Sequence, residues 1–276
     1  MGDTLYLECT GGISGDMTVA ALLDLGADKK RLLEGLNSIN DSGFQIKITR
    51  VKKSGLDCLD FDVVLDIDNH DHDMDYLYGH NHEHSDYSNE NEDIGHSHDE
   101  SENNHHVHRG MSEITKIIND TAFNPNTKEI ALKIFSCLAN AEAKAHGVPV
   151  DEVHFHEVGA IDSIVDILAV AFCIDDLKID RVIVPYLAEG HGTVRCQHGI
   201  FPVPVPAVTN IVTDNNIRLT ETDIEGELVT PTGAAVVATL RTDDILPERY
   251  IIKRIGWGAG KRDYKNAGIL RAMIIE

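Results

Sequence analysis

Two histidines and a glutamate stand almost side by side in residues 153–167, VHFHEVGAIDSIVDI. In an extended segment His154 and His156 project to the same side, because side chains alternate along a strand. Two imidazoles so placed can bind one divalent metal ion, and Glu157 follows directly as a third ligand or as a base. The pattern indicates a metal site. The alternative is that both histidines are structural groups with satisfied hydrogen bonds.

The helix predicted after this stretch carries two aspartates on one face. Asp162 and Asp166 are four residues apart, so they are neighbours on the helix surface and repel each other. Ala169, Val170 and Cys173 continue that face and are apolar, so it is not a general solvated stripe. We expect Asp162 to act beside the metal as a candidate base. The alternative is that it only interacts favourably with the dipole of the first helical turn.

The segment 68–108 is unusually rich in histidine. It holds ten of the fifteen histidines and twelve acidic residues but no Lys or Arg, so it carries more than half of the net charge of −22. It has few large apolar residues and cannot offset the entropy of ordering. We therefore predict a disordered insert that collects metal without fixed geometry. The alternative is an acidic solvating loop with incidental histidines.

The turn TGGISGD lies between a predicted strand and a predicted helix. Gly12, Ser14 and Gly15 let backbone amides approach an anion at the helix N-terminus. The turn lacks the lysine of a P-loop, so the motif alone is weak. Asp16 is a further candidate catalytic carboxylate, and the alternative is a tight turn in which Asp16 caps the helix.

Two later motifs offer further ligand contacts. GELVTPTGAA predicts a helix start, which is also an anion site, at Thr230, Thr232 and Gly233. GWGAGKRDY is a glycine-rich turn whose Lys261 and Arg262 form the one compact basic spot of the sequence. The alternative for this second motif is a hairpin turn with surface charges.

The segment HGTVRCQHGIFPVPVPA repeats a His-Gly pair. The glycines suggest close approach of the backbone to a ligand, and the prolines suggest a stiff wall. His191 and His198 are therefore a second pair of candidate metal ligands.

The composition excludes several classes of function. A net charge of −22 with 46 acidic against 24 basic residues argues against nucleic acid or an anionic membrane as a partner. No apolar run reaches the roughly 20 residues of a membrane helix, and we see no signal peptide. The five cysteines form no CxxC pair, so we expect reduced thiols that fill the core and a cytoplasmic protein.

Alternating strand and helix patterns predict an α/β (α+β) fold with a mixed sheet and flanking helices. We divide the chain into residues 1–67, the His-rich insert 68–110, and the rest of the same domain at 111–276. Within the last part we expect GTVRCQ to pair with the buried strand DRVIVPY.

Together, the motifs LYLECTGGISGDM, VHFHEVGAIDSIVDI, HGIFPVPVPA, GELVTPTGAA and GWGAGKRD resemble the nickel insertion protein of the lactate racemase maturation system. They occur in the same order and cover nearly the whole chain except the His-rich insert. The series is specific, although no single motif is. Members of that family also carry a variable His-rich loop at this place.

The resemblance implies a CTP-dependent cyclometallase. Such a protein inserts Ni(II) into pyridinium-3,5-bisthiocarboxylic acid mononucleotide, forming Ni–S and Ni–C bonds, and the product serves lactate racemase. It further implies CTP with Mg or Mn, an oligomer, and delivery of the cofactor to the lactate racemase apoenzyme. By this reading the His-rich insert is a nickel reservoir.

Family members continue into a C-terminal domain associated with CTP, the divalent ion and oligomer formation. We therefore expect this chain to be an N-terminal portion or subunit that needs that domain. Two other functions stay open from the residues alone: a non-catalytic nickel chaperone or store, and a metal-dependent nucleotide hydrolase.

Overall fold

The computed structural model describes residues 2–41, 43–65, 109–155, 160–196 and 199–276. The predicted His-rich insert lies outside these ranges except for its last two residues, which form a short strand.

The helices are α1 Gly15–Leu25, α2 Lys29–Leu36, α3 Met111–Asp120, α4 Pro125–His146, α5 Ile161–Asp176, α6 Pro206–Asp214 and α7 Pro231–Leu240. A 3₁₀ turn covers Val150–Glu152. The strands are β1 Asp3–Glu8, β2 Phe44–Lys53, β3 Leu56–Leu65, β4 Arg109–Gly110, β5 His154–Phe155, β6 Ile179–Ile183, β7 Leu187–His191, β8 Thr193–Cys196, β9 Gly199–Pro202, β10 Leu219–Glu225, β11 Ile252–Ala259 and β12 Ile269–Ile275.

The main sheet has six strands in the order β2-β3-β11-β12-β1-β6. The pairs β2–β3, β11–β12 and β12–β1 are antiparallel, whereas β3–β11 and β1–β6 are parallel. The predicted mixed sheet is therefore confirmed. Side chains along a strand point alternately to the two faces of the sheet. In β1, Leu5 and Leu7 enter the main core, whereas Tyr6 joins a small separate cluster on the opposite face.

The helices stack in layers on one face of this sheet. Helix α1 packs on β11, β12 and β3, and α5 packs on the other side of α1. Helix α4 then covers α5, with α6 and α7 beside it. Helix α5 is buried on nearly all sides, as its sequence predicts, and it supplies Ile164, Val165 and Leu168 to the core.

The close approach of α1 to β11 depends on glycine in the strand. A Cβ on Gly258 would lie 2.0 Å from the carbonyl oxygen of Met17, and one on Gly256 would lie 2.1 Å from that of Ala21. Both contacts are to helix backbone, which cannot move away as a side chain could. The GWGAG motif is therefore partly a packing signature, since its glycines let the helix lie directly on the sheet.

One strand pairing was wrong in the prediction. The GTVRCQ segment forms β8 and pairs with β9 in a separate two-stranded hairpin, Thr193 opposite Pro202 and Val194 opposite Phe201. It does not join β6, because β1 lies on one side of β6 and the backbone of Thr242 and Asp243 is hydrogen-bonded on the other. The hairpin is thus free to stand over the end of the helical layer.

All five cysteines are free thiols, as expected, and Cys9, Cys58 and Cys173 are buried. Within the described residues there is no helix with the length and apolarity to cross a membrane.

Gly258→Ala should lower the free energy of unfolding by about 1–3 kcal/mol, the usual cost of an overpacked core contact. The reason is the clash between the new methyl group and the Met17 carbonyl oxygen. Urea denaturation followed by circular dichroism measures the change. Ile255→Ala is the control, since it puts alanine into the same strand on the opposite, exposed side. Equal stability of the Gly258→Ala variant and the native chain would contradict this packing.

Candidate functional site

A cavity of about 760 Å³ opens where the helical layer meets the ends of β3 and β11. Its wall combines residues from motifs that are far apart in the sequence. The residues predicted for function that line it are Ser14, Gly15, Asp16, Asp162, Thr230, Thr232, Lys261 and Arg262. Phe201, Val205 and Pro206 of HGIFPVPVPA line it too, so the fold brings all five motifs of the resemblance to one place.

The turn TGGISGD positions the start of α1 at the cavity. Ser14, not Asp16, is the N-cap: its hydroxyl oxygen accepts a hydrogen bond from the amide of Met17 at 3.4 Å. The Ser14 hydroxyl in turn donates to the carboxylate of Asp16 in the first helical turn. The interpretation of Asp16 as the cap was wrong, because the serine oxygen two residues earlier already takes that role. Asp16 is left facing the cavity.

The turns TGGISGD and GELVTPTG form one backbone unit. The amide of Ile13 donates to the carbonyl of Leu228 at 2.9 Å, and the amide of Thr230 donates to the carbonyl of Ile13 at 3.1 Å. Gly12 has φ +92, and a Cβ there would lie 2.3 Å from the Leu228 carbonyl oxygen. Only glycine satisfies both conditions, so Gly12 supports the cavity from behind without lining it.

The predicted start of α7 is confirmed. Thr230 is the N-cap and its hydroxyl oxygen accepts from the amide of Gly233 at 3.1 Å, with Pro231 at the first helical position. Thr230, Pro231 and Thr232 line the cavity. Gly233 instead packs against the backbone of Ile13, because a Cβ on Gly233 would lie 2.3 Å from the Ile13 carbonyl oxygen. Gly233 is thus a packing residue, whereas Thr232, although largely buried, lines the cavity.

Four aspartates from three elements meet around one lysine. Asp16, Asp62, Asp162 and Asp166 all line the cavity together with Lys261. Burial alone would lower the pKa of Lys261, but the carboxylates of Asp16, Asp62 and Asp166 outweigh it, so the pKa lies above its usual value. The Lys261 ammonium group donates directly to the Asp62 carboxylate.

Asp166 is the most deeply placed of these carboxylates. A Cβ on Gly15 would lie 2.6 Å from its Oδ2, so the carboxylate rests against the helix α1 backbone. Its Oδ1 is shielded from solvent and accepts no hydrogen bond from the described residues. Burial, followed by the charges of Asp16 and Asp162, raises the pKa of Asp166 well above its ordinary value, which Lys261 only partly offsets.

Arg262 is part of the wall and not a surface charge. It donates to the carbonyl of Glu227 at 2.9 Å, and its guanidinium lies 3.2 Å from the Glu227 carboxylate. Tyr264 donates to the same carbonyl at 3.1 Å. The hairpin-turn alternative for GKRD is therefore wrong for Arg262, because the loop after β11 folds over the turn that precedes α7.

Sequence reasoning missed the residue that holds this turn. Glu189 of β7 is only 2% exposed, and one carboxylate oxygen accepts from the amides of Gly190, Leu228 and Val229 at 2.9, 2.8 and 3.1 Å. Burial raises its pKa, while these amides and Arg262 act in the opposite direction. The available signal was a carboxylate inside an otherwise buried strand, YLAEGHG, which is unusual without a partner.

Asp62 was also missed, since it lies in a strand with alternating acidic residues that a half-exposed edge strand would explain equally well. Asp166 could have been found from its spacing to Asp162. It was placed on the right face but not counted as a site residue.

The other predicted metal ligands either lie outside the cavity wall or fall outside the described residues. His191 lies exposed at the end of β7, outside the cavity wall. His156, Glu157 and His198 lie outside the described residues, and of His154 only the backbone is described. Among the side chains that are described, no group of three His, Cys, Asp or Glu has the geometry to hold a metal ion. The metal site therefore stays a prediction.

The sequence was compared with known proteins. A family model described as nickel insertion protein matches residues 5–276. Three relatives are each called pyridinium-3,5-bisthiocarboxylic acid mononucleotide nickel insertion protein. The protein from Alkaliphilus metalliredigens is 50% identical over 277 residues, with 100% of this chain and 61% of the relative covered. The one from Clostridium acetobutylicum is 44% identical, with 99% and 64% covered. The one from Staphylococcus saprophyticus is 33% identical, with 99% and 60% covered.

No solved structure matches the chain. The chain spans about three fifths of the length of these curated relatives. The family match runs through every motif that lines the cavity. This chain belongs to the nickel insertion protein family.

Proposed function

We propose that this chain takes part in inserting Ni(II) into pyridinium-3,5-bisthiocarboxylic acid mononucleotide, with formation of Ni–S and Ni–C bonds. The relatives' names state this substrate and this metal. The observation that carries the proposal is the cavity itself, because its wall is built from the same motifs that define the resemblance. Nickel is the cargo of the reaction and not a resident cofactor.

The cavity suits such a substrate in size and charge. Its volume falls in the range of roughly 300–1,000 Å³ that is usual for small-molecule sites. Six carboxylates line it against three Lys or Arg side chains, so its net field favours cations. Both Ni²⁺ and a pyridinium ring are cationic, and each gains from carboxylates in a partly buried place.

The HFHE motif adjoins the cavity. Phe155 and Ala160, the described residues on either side of 156–159, both line the cavity wall. This placement supports His154, His156 and Glu157 as the first ligands for incoming nickel, since neutral imidazole suits Ni(II).

Forming a Ni–C bond on the ring releases a ring proton, so a base must stand beside the metal. Glu157, Asp162 and Asp16 are the carboxylates proposed from the sequence. Asp166 joins them, because its raised pKa brings a carboxylate closer to the neutral range in which a general base works well. The helix α5 face that holds Asp162 and Asp166 begins directly after the HFHE segment.

The phosphate of a mononucleotide needs a different part of the wall. The start of α1 is a poor place for it, because Asp16 and Asp166 lie against Ser14 and Gly15 and would repel a dianion. At the start of α7, Thr230 and Thr232 lie on the cavity wall together with Arg262. The Glu227 carboxylate there is paired with Arg262, so it would repel a phosphate less strongly. Of the two helix starts, α7 therefore opposes a phosphate less than α1 does.

CTP with Mg or Mn, an oligomer, a C-terminal domain or subunit, and the lactate racemase apoenzyme as recipient complete the proposal, all through the resemblance. We assign the CTP site to the part of the relatives that this chain does not cover.

Nickel insertion should depend on the HFHE motif. In a chain lacking residues 71–106, His154→Ala and His156→Ala should each lower nickel affinity and product yield, since each removes one imidazole from the metal. Glu157→Gln should bind nickel but form no Ni–C bond if Glu157 is the base. Calorimetry measures nickel binding, and mass spectrometry detects the organonickel product after incubation with Ni(II), CTP, Mg and the rest of a relative's chain. His191→Ala tests the other candidate ligand pair and, because His191 lies outside the cavity wall, should bind nickel like the native chain. Native-like affinity and yield in both histidine variants would place the metal elsewhere.

Deletion of residues 71–106 should lower the number of nickel ions bound per chain. Product yield at saturating nickel should persist, because a segment rich in ligands acts by raising local metal concentration. Equilibrium dialysis and the product assay measure the two quantities. Complete loss of yield at saturating nickel would show that the segment takes part in the reaction.

Asp166→Asn should change how stability depends on pH. Between the ordinary Asp pKa of about 3.9 and the higher folded value, the folded chain holds a proton that the unfolded chain has lost. The free energy of unfolding of the native chain therefore falls as pH rises through that window. The variant cannot ionise, so it should match the native chain below the window and exceed it above, by about 1.4 kcal/mol for each pKa unit.

Urea denaturation at a series of pH values measures this difference. Asp151→Asn, a change of the same kind at an exposed position, is the control and should show no widening gap. Parallel curves for Asp166→Asn and the native chain would mean that Asp166 is ionised without penalty.

A further inference from the structure

Among the residues that the structure describes, the cavity wall contains one arginine that no carboxylate neutralises. Arg195 of β8 lines the cavity and is exposed, and its guanidinium makes no hydrogen bond or ion pair with any part of the chain that the structure describes. The other Lys and Arg side chains of the described wall each form an ion pair with a carboxylate. Lys261 is paired with Asp62, and Arg262 with Glu227.

The hairpin that carries Arg195 is anchored at its base. Val194 beside it is only 7% exposed, so the strand is held down against the protein. The amide of Val203 donates to the carbonyl of Gly192 at 3.0 Å and closes the hairpin. Within it, Arg195 pairs with Ile200 across the two strands. The guanidinium therefore stands at the rim of the cavity on a fixed strand.

An unpaired guanidinium at the rim of an acidic cavity favours the anionic group of a ligand. Six carboxylates in the wall oppose the entry of any anion. A ligand with an anionic group must therefore place that group near a cation that is not already neutralised. A guanidinium offers a planar fork of donors that matches phosphate oxygens with two parallel hydrogen bonds.

We propose that Arg195 binds the phosphate monoester of a pyridinium mononucleotide held in the cavity. The identity of the nucleotide rests on the proposed function, in which the two thiocarboxylates are directed to nickel and only the phosphate needs a separate cation. The ring then lies toward the carboxylates of Asp162 and Asp166, and the phosphate lies toward the β8–β9 hairpin. Arg195 fixes the orientation of the substrate and takes no part in proton transfer.

Calorimetry with two probes tests this assignment. Nicotinic acid mononucleotide carries the pyridinium ring, ribose and phosphate, and nicotinic acid riboside lacks only the phosphate. The native chain should bind the mononucleotide more tightly than the riboside. Arg195→Gln should weaken mononucleotide binding by about ten- to hundredfold, the usual effect of losing a hydrogen bond to a charged group, and leave riboside binding unchanged.

Two further variants sharpen the result. Arg195→Lys keeps the charge without the fork and should fall between the native chain and Arg195→Gln. Arg249→Gln removes the same charge from an exposed position outside the cavity wall and should bind like the native chain.

Several outcomes would overturn the assignment: no phosphate preference in the native chain, an unchanged mononucleotide affinity in Arg195→Gln, or equal losses for both probes. A phosphate preference that disappears in Arg195→Gln, together with no nickel insertion by the native chain, would support the role of Arg195 and refute the proposed function. The two claims therefore fail separately.

Discussion

The candidate site depends on holding several carboxylates close together in a chain that is already strongly acidic. Asp16, Asp62, Asp162 and Asp166 share one cavity, and like charges at such distances favour protonation of at least one of them. The positive charge of Lys261 partly offsets the repulsion between these carboxylates. Its pKa stays above the usual value despite burial, which shows that attraction to the carboxylates exceeds the cost of desolvation. The remaining field attracts a divalent metal ion and a cationic ring. One carboxylate, Asp166, has an oxygen shielded from solvent and holds a proton more readily than an ordinary aspartate.

Rigid backbone keeps these charges in place. The turn before α1 and the turn before α7 are bonded to each other through Ile13, and Glu189 fixes the second turn with three amide hydrogen bonds. Glycine at Gly258 lets α1 lie directly on the sheet, which sets the distance between Asp16 on the helix and Lys261 beyond β11. Functional groups built on such supports keep their geometry better than groups on free loops. The loss of one support should therefore affect the site as well as the stability of the fold.

The amino-acid sequence predicted the parts of the fold that local patterns determine. The helix start at Thr230, the glycine stop at Gly26 and the buried helix α5 follow from capping and periodicity. Long-range pairing was harder: the β8 segment has a strand pattern, but nothing local says whether it pairs with β6 or β9. The roles of Asp62 and Glu189 depend on what lies across from them, and sequence spacing does not encode that. Arg195 looked like any surface arginine until the other cations of the wall were seen to be paired.

The central claim is that nickel meets the mononucleotide inside this cavity. Anomalous diffraction at the nickel edge tests it most directly, using crystals of the chain without residues 71–106 grown with Ni(II) and nicotinic acid mononucleotide. The account predicts a nickel peak at the cavity wall between the segment joining Phe155 to Ala160 and the carboxylates of α5, with the phosphate near Arg195. Nickel bound at a distant surface, for example at His191, together with nucleotide in the cavity and no metal beside it, would contradict the account.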